Sequence, residues 1–269
     1  MTPFFSIIVV CLNPGGKLLQ TLQSIQKQEF RDYEIVLKDG GSTDGALQKL
    51  NLNQPGLRVV TKPDRGIYDA MNQAAEEAKG RFVFFLNCGD WLMDEQVLAN
   101  MHDQIMVREQ VGAARSAIYY GDVYERVTGQ LVSSNPKLDA FGCYRNVPCH
   151  QACFYERELL LQHPFEIEYR VRADYEQFLW CFFEAKANPY YTGITVADYE
   201  GGGFSETKKN LALSKEEHRK IVQKYLSFGQ RVTYRLILCL TLASLRTRIS
   251  RNEKTAALYN RLKSALYRR

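Results

Sequence analysis

The chain has 269 residues, of which 45% are hydrophobic and 24% charged, so it is long and apolar enough for one large domain, or for one domain plus an appendage. This composition excludes a disordered chain and a disulfide-held miniprotein. The net charge of +5 is unevenly distributed, because residues 231–269 carry ten Lys or Arg against one acid, a net of +9, and residues 1–230 carry 25 bases against 29 acids, a net of −4.

Strand and helix patterns alternate in the first ninety residues. Four buried-strand patterns occur, namely SIIVVCL from Ser6, YEIVLK from Tyr33, LRVVT from Leu57 and RFVFFLN from Arg81. Between them, apolar residues at helical spacing predict helices around residues 18–25 and 70–78, the second with Gly80 as its C-cap. We therefore predict an α/β fold with a Rossmann-like, mostly parallel sheet flanked by helices, whose ligands bind at the carboxyl ends of its strands.

From about residue 117 the pattern changes to short strands, which predict an antiparallel extension of the sheet. Further helices are predicted over residues 157–161, 173–184 and 211–225. The expected organisation is a domain over residues 1–225, with a nucleotide-sugar-binding half (1–115) and an acceptor half (116–225), followed by a basic helical tail (226–269).

The cysteines and the apolar segments bear on the location of the protein. Seven cysteines, odd in number and irregularly spaced, are typical of free thiols in a reducing compartment. The first residues resemble a strand and not a cationic leader, and the apolar run from Leu236 to Leu245 is shorter than the roughly 20 residues of a membrane-spanning helix. We therefore expect a cytoplasmic protein.

Polar motifs follow three of the predicted strands. In KDGGSTDG, Asp39 at a strand end has the chemistry to accept hydrogens from a nucleotide base, although a turn capped by Ser42 or Thr43 is the structural alternative. In PDRGIYDAMNQA, four polar residues lie at a helix start, where a solvated helix face is the alternative. They are Arg65, Tyr68, Asp69 and Asn72.

The motif FFLNCGDWL places Asn87 and Asp90 after an apolar strand. A hard divalent ion held by carboxyl or amide oxygens together with substrate phosphates is a common phosphoryl site, and a helix cap is the alternative. In YRVRADYEQFLW, Asp174 lies at a helix start and has the chemistry to take a proton from a substrate hydroxyl. The structural alternative is that its negative charge only stabilises the N-terminus of the helix.

Two more motifs carry polar groups. In PCHQACFY, we expect His150 and Gln151 to face a substrate at a strand start. A zinc site is the less favoured interpretation, since no second cysteine pair follows. In GGGFS, the backbone amides and the Ser205 hydroxyl are suited to closing over phosphates, although flexible linkers have the same composition.

Taken in chain order, these motifs resemble the family 2 inverting glycosyltransferases of the GT-A fold, closest to the bacterial exopolysaccharide branch typified by colanic-acid enzymes. The resemblance covers about residues 5–220. It implies transfer of a sugar from a UDP- or GDP-type nucleotide-diphosphate sugar to a hydroxyl of a glycan or lipid-linked acceptor, with inversion, in bacterial surface polysaccharide synthesis. The motifs that carry it are SIIVVCLNPGGKLLQTLQSI, EIVLKDGGSTDG, KPDRGIYDAMNQA, GRFVFFLNCGD, YYGDV, HQACFY, RADYEQFL and GGGFS.

The resemblance also implies roles for single residues. Asp39 would contact the nucleobase and Asp174 would be the catalytic base, while Asp90 would hold Mn²⁺ or Mg²⁺ against the diphosphate. Residues expected to line the donor pocket are Cys11, Asn13, Arg65, Tyr68, Asp69 and Asn72. Residues expected to border the acceptor or the diphosphate are His150, Gln151 and Ser205. Many relatives carry Asp where this chain has Asn87, so weak metal binding is expected without donor.

Two other functions remain open on the sequence. A nucleotidyltransferase would be expected to carry a Gly-rich, basic loop after its first strand, where this chain has CLNPGGKLL. A non-catalytic sugar-nucleotide-binding module is favoured by Asn87 and opposed by Asp90 and Asp174. For the basic tail, residues 231–269, we expect contact with an anionic membrane surface or a lipid-linked acceptor; no nucleic-acid module accompanies it, and a solvated helix face is the alternative.

Overall fold

The computed structural model describes residues 2–51, 54–112, 116–201 and 207–241. The chain separates into two compact units, Met1–Ile221 and Val222–Arg269. Ser205 and most of the basic tail lie outside the described residues. The expected boundary after residue 225 and the division into halves stay predictions.

Parallel strands form the first half of the sheet. Their bounds are β1 (Phe5–Cys11), β2 (Tyr33–Asp39), β3 (Leu57–Thr61) and β4 (Phe82–Phe85). The order is β3-β2-β1-β4, and the register pairs Cys11 with Asp39 and Asp39 with Thr61. The carboxyl ends of these three strands therefore lie in one row, as the alternating pattern predicts.

Amphipathic helices cover this half because their apolar residues recur on one face. The helices are α1 (Lys17–Gln26), α2 (Ile67–Glu77) and α3 (Val97–Gln110), and a single 3₁₀ turn spans Leu47–Lys49. The buried face of α1 contains Leu18, Leu22 and Ile25, and that of α2 contains alanines and Met71. The mixed α/β class and the flanking helices are confirmed.

The second half of the sheet has mixed directions. Its strands are β5 (Trp91–Leu92), β6 (Ala117–Glu125), β7 (Gln130–Val132), β8 (Cys153–Glu156) and β9 (Asn188–Tyr199). The antiparallel pairs are β4 with β8, β8 with β6, β6 with β7 and β5 with β9, as expected of an antiparallel extension. However, β6 and β9 run parallel, which the short-strand pattern did not indicate.

Five helices complete the described residues. They are α4 (Ala140–Arg145), α5 (Arg157–Gln162), α6 (Ala173–Phe183), α7 (Lys208–Tyr225) and α8 (Phe228–Leu240), and a 3₁₀ turn spans His150–Ala152. Stacked rings of Phe84 and Phe154, 4.5 Å apart, join β4 to β8 in the core. Within the described ranges, no helix has both the length and the apolar character needed to cross a bilayer.

Candidate active site

Asp39 ends β2 and is 1% exposed. Its carboxylate accepts the backbone N–H groups of Gly41 at 3.2 Å and Ser42 at 3.0 Å, together with the Ser42 hydroxyl. The Cys11 thiol at the end of β1 lies 3.9 Å from this carboxylate, and burial raises the pKa of Cys11 to about 12, so the thiol stays protonated. Asp39 thus shapes the loop after β2, and its contact with a nucleobase stays a prediction.

The loops after β1 and β2 are fastened to each other. The Asn13 N–H donates to the Ser42 hydroxyl at 2.7 Å, and the Asn13 Oδ1 accepts the Thr43 N–H at 2.8 Å. The Gly15 N–H donates to Asp44 at 2.7 Å, and this hydrogen bond holds the pKa of Asp44 below its ordinary value. Sequence reasoning missed Asp44, although it belongs to the KDGGSTDG motif. The two loops therefore form one rim.

Lys38 is wholly buried on β2, and it positions the loop after β3. Its ammonium donates to Asp64 at 3.0 Å and to the carbonyl oxygens of Lys62 at 2.6 Å and Asp39 at 3.1 Å. Gly40 allows this packing, because a Cβ there would lie 2.8 Å from the Asp64 carboxylate. A lysine inside an otherwise apolar strand could have indicated this buried ion pair, but the sequence analysis did not use it.

Arg65 and Asp69 lie at the start of α2. The Asp69 carboxylate accepts the Arg65 backbone N–H at 2.9 Å and lies 3.3 Å from its guanidinium. Burial acts to raise the pKa of Asp69, but the Arg65 contacts hold it below its ordinary value. The Arg65 side chain is 75% exposed. Asp69 therefore stabilises the helix start, and the Arg65 guanidinium stands at the rim, accessible to an anionic ligand.

Tyr68 and Asn72 on α2 contact the segment before α6. The Tyr68 hydroxyl lies 3.0 Å from both the Val171 carbonyl oxygen and Asp174 Oδ1. The Asn72 amide donates to the Phe165 carbonyl at 2.9 Å and accepts the Phe165 N–H at 2.8 Å. The geometry gives Asn72 a role in holding the backbone. Its expected contact with donor stays a prediction, and in this arrangement both of its polar atoms are used.

Asp174 lies in the first turn of α6, and both of its carboxylate oxygens have polar partners. Oδ1 accepts the Tyr175 N–H at 2.9 Å and lies near the Tyr68 hydroxyl, and Oδ2 lies 3.3 Å from His150 Nδ1. Burial acts to raise the pKa of Asp174, but these hydrogen bonds, led by that of His150, hold it below its ordinary value. The side chain is 27% exposed. Asp174 is therefore an ionised, oriented and accessible carboxylate, which is what a general base requires.

The backbone before α6 is anchored by a buried carboxylate on α7. Glu217 accepts the N–H groups of Arg170 at 2.9 Å, Val171 at 3.0 Å and Arg172 at 2.9 Å. Three converging amides form an anion-binding nest, here occupied by a side chain of the same unit. Glu217 thereby fixes the three residues that precede the helix start at which Asp174 lies. No motif marked Glu217, because α7 follows an ordinary charged helical pattern.

His150 connects Asp174 to the turn after β4. Its Nδ1 faces Asp174, and its Nε2 lies 3.2 Å from the Asn87 amide nitrogen. With the Asn87 NH₂ group as donor, Nε2 accepts, and Nδ1 is the ring nitrogen that faces the Asp174 carboxylate. The Asn87 Oδ1 atom is buried and has no hydrogen-bond partner. Asn87, His150 and Asp174 therefore form a continuous chain of side-chain contacts.

Asp90 lies in the same turn and is 6% exposed. Oδ1 accepts the Glu200 N–H at 2.7 Å and lies 3.6 Å from the Arg126 guanidinium, while Oδ2 accepts the Gln151 amide. Burial raises the pKa of Asp90, and the Glu200 N–H and Arg126 oppose that shift. Gln151 therefore orients Asp90, and Arg126, which no motif marked, stands beside it.

The Asn87–Asp90 turn has the donor atoms for a hard divalent cation. It offers a carboxylate and an unsatisfied amide oxygen, the ligand types that Mg²⁺ and Mn²⁺ prefer. Among the described residues, the one group of three His, Cys, Asp or Glu side chains with ligand atoms within 4.8 Å of one another is elsewhere, at His163, Glu166 and Glu176. The turn thus fits an ion that takes most of its ligands from substrate and water.

A curved sheet with polar loops at the carboxyl ends of its parallel strands, beside an oriented carboxylate, is the arrangement of a GT-A glycosyltransferase. Residues 6–160 match the family model described as "Glycosyl transferase family 2", and the chain belongs to this family. The nucleotidyltransferase alternative is thereby set aside.

Named relatives agree with this assignment. A "PGL/p-HBAD biosynthesis glycosyltransferase" of Mycobacterium bovis is 38% identical over 211 residues, 76% of this chain and 80% of the relative. An uncharacterized glycosyltransferase of Mycobacterium tuberculosis is 28% identical over 183 residues, 66% of this chain and 68% of the relative. The protein is therefore a glycosyltransferase.

Two solved structures share the fold. Staphylococcus aureus TarS residues 1–349 with UDP-GlcNAc superposes with a TM-score of 0.65 at 19% identity, over 86% of this chain and 70% of that one. The mannosyltransferase of Pyrobaculum calidifontis with GDP-Man and Mn²⁺ gives a TM-score of 0.63 at 18% identity, over 99% and 81%. At these identities the likeness establishes the fold alone.

Proposed function

We propose that the protein transfers a sugar, with inversion, from a UDP- or GDP-type sugar nucleotide to a hydroxyl of a glycan or lipid-linked acceptor. The pathway we propose is bacterial surface polysaccharide synthesis, in the exopolysaccharide branch. The observation that carries the proposal is the chain of contacts from Asn87 through His150 to Asp174. It connects a carboxylate that can accept a proton to the turn that would hold the metal ion and the donor diphosphate.

Inversion requires a single displacement in which the acceptor oxygen bonds to the anomeric carbon as the bond to the diphosphate breaks. In our proposal Asp174 accepts the proton of the acceptor hydroxyl. Hydrogen bonds from His150, Tyr68 and the Tyr175 amide keep this carboxylate ionised and aimed. His150 contacts both Asp174 and Asn87, and Gln151 contacts Asp90, so acceptor and diphosphate would meet beside these two residues.

The donor would lie on the rim made by the loops after β1, β2 and β3. Asp39, Cys11 and Asn13 shape its floor, and Arg65 and Asp69 lie at the start of α2. A bound Mn²⁺ or Mg²⁺ supplies positive charge for the departing diphosphate, and Asp90 with the Asn87 oxygen would hold it. The ligands of the two solved structures, UDP-GlcNAc in one and GDP-Man with Mn²⁺ in the other, support this choice.

The test is Asp174→Asn, with the exposed Asp103→Asn as matched control. We expect kcat to fall by about 10² to 10⁴ in Asp174→Asn, the usual contribution of general-base help, with UDP or GDP affinity unchanged within about threefold. Transfer and nucleotide binding are measured separately, by product formation and by calorimetry. Equal turnover in the two variants would contradict the assignment.

We also propose that the C-terminal part contacts an anionic membrane, at the inner face of the plasma membrane. α8 has no buried residue, and its exposed apolar side chains repeat every fourth position. They are Phe228, Val232, Leu236 and Leu240. Basic residues at 231 and 235 and the net +9 of residues 231–269 suit anionic headgroups.

Flotation with vesicles of anionic or neutral lipid tests this membrane contact. We expect anionic vesicles alone to carry the protein at low salt, and Leu236→Ser to weaken the association. Thr233→Ser, a polar replacement at an exposed position of the same helix, is the control. Equal flotation of the two variants, or none of the wild type with anionic vesicles, would refute the membrane contact.

A further inference from the structure

Arg126 directly follows β6 and packs against the turn that contains Asp90. Its guanidinium donates to the Gly89 carbonyl at 2.7 Å, pairs with Asp198 at 2.6 Å and lies 3.5 Å over the Trp91 ring. The same guanidinium lies 3.6 Å from Asp90 Oδ1. Contacts on several sides hold the side chain, which is 27% exposed. Arg126 is therefore a fixed positive charge at this turn.

Arg126 reduces the net charge beside Asp90 to −1 without a metal ion. Asp90 and Asp198 contribute two negative charges and Arg126 one positive charge, while Glu200 is paired with Lys17 at 2.6 Å. The usual second carboxylate is absent, because position 87 is an amide. A divalent ion on Asp90 would meet a guanidinium already facing one of its oxygens, in a partly buried site where screening is weak.

We infer that Arg126 is a built-in counter-cation of Asp90, which prevents tight Mn²⁺ binding until a nucleotide diphosphate adds its negative charge. The inference rests on the proposed function, which supplies the nucleotide diphosphate as the ligand. Its test measures ion binding and not sugar transfer. Arg126 thereby makes entry of the ion depend on entry of the donor. Without Arg126, Asp90 would bind the ion in the nucleotide-free protein.

Mn²⁺ titration of the nucleotide-free protein, followed by electron paramagnetic resonance of free Mn²⁺, tests the inference. We expect weak binding by the wild type and at least tenfold tighter binding by Arg126→Met. The matched control is Arg58→Met, because Arg58 is also an ion-paired arginine, 30% exposed, on β3. Repeating the titration with UDP or GDP should tighten Mn²⁺ binding in the wild type by a larger factor than in Arg126→Met.

A second variant tests whether Asp198, which loses its ion-pair partner in Arg126→Met, binds the added Mn²⁺ itself. Arg126→Met combined with Asp198→Asn removes both partners and restores the net charge, and we expect it to bind Mn²⁺ more tightly than the wild type. Tightening in the single variant alone would mean that Asp198 took the ion, and would overturn the inference. So would equal affinity in Arg126→Met and Arg58→Met, or tight binding by the nucleotide-free wild type.

The inference and the proposed function fail in different ways. If Asp174→Asn left transfer unchanged while Arg126→Met still bound Mn²⁺ more tightly, the assigned base would be wrong and the inference would stand. If the wild type bound no Mn²⁺ with either nucleotide, the metal assignment would be wrong, and the role of Arg126 with it.

Discussion

Replacing Glu217 by Gln tests whether α7 supports the candidate base from a distance. Glu217 is 3% exposed and accepts three backbone N–H groups just before α6. Glutamine has nearly the same shape but only one oxygen, so at least one of the three N–H groups must face an NH₂ group. The variant therefore changes hydrogen bonding while leaving the packing of α7 almost unchanged.

The expected loss of stability is about 3 kcal/mol. One hydrogen bond to a charged acceptor, worth about 1.5 to 3 kcal/mol, is lost, and the other two weaken by about 1 kcal/mol each when their acceptor becomes neutral. The smaller cost of burying an amide offsets part of this sum. For a domain of this size, about 3 kcal/mol lowers Tm by about 6 to 12 °C.

Thermal unfolding and steady-state kinetics together make the assay, with Glu216→Gln as control. Glu216 is the neighbouring residue, but its side chain is 49% exposed and pairs only with Lys220, so we expect a change below about 0.5 kcal/mol. We also expect kcat of Glu217→Gln to fall by about tenfold, because misplacing Asp174 misaligns the base. Equal Tm values for the two variants would refute the anchoring role.

Three further predictions concern other parts of the domain. Because hydrogen bonds led by that of His150 hold the pKa of Asp174 below its ordinary value, His150→Phe should raise that pKa, and kcat, which falls as the pH drops through it, should fall at a higher pH in a pH–rate profile measured at saturating Mn²⁺ and donor. Lys38→Met should cost about 3 to 5 kcal/mol in denaturant unfolding and weaken UDP or GDP binding, since Asp64 would lose its buried partner. Gly121→Ala should destabilise by at least about 1 to 3 kcal/mol, because its Cβ would lie 2.1 Å from the Ile194 carbonyl, whereas Gly229→Ala, with open space around it, should not lower Tm.

The parallel half of the fold was predictable because three of its four strands, β1, β2 and β4, are largely buried on both faces. The runs from Ser6, Tyr33, Leu57 and Arg81 are continuous apolar segments that alternate with amphipathic helices, and this pattern has few other solutions. The mixed half was less predictable, since short strands reveal neither partner nor direction. The parallel pairing of β6 with β9 depends on a register shift beside Gly121, which no local pattern encodes.

Gly80 illustrates the same limit at a single residue. The sequence predicts a helix C-cap there, but α2 ends at Glu77 and its cap residue is Ala78. A Cβ at Gly80 would lie 2.4 Å from the Ser6 nitrogen, so glycine is needed for close approach of two backbones. The helical spacing of the sequence identified Gly80 as a position that requires glycine, but it assigned the wrong structural reason.

Site residues at the ends of strands and helices were predictable from the sequence. Residues whose role depends on a partner far away in sequence were not. Asp39, Asp90 and Asp174 stand out because each lies at or beside the end of a strand or helix, although their roles stay predictions. Lys38 and Glu217 act on segments 26 to 47 residues away in sequence. Their partners exist only once the chain has folded, so composition and spacing carry no sign of them.

The pairing of β4 with β8 also has a consequence for synthesis of the chain on the ribosome. β4 ends at Phe85 and β8 begins at Cys153, so 67 residues separate the two strands. At about 5 to 20 residues per second, the apolar edge of β4 stays unpaired for roughly 3 to 13 seconds after it is made. An unpaired apolar edge promotes aggregation. Residues 1–115 expressed alone should therefore be insoluble, and nascent chains of intermediate length should depend on chaperones.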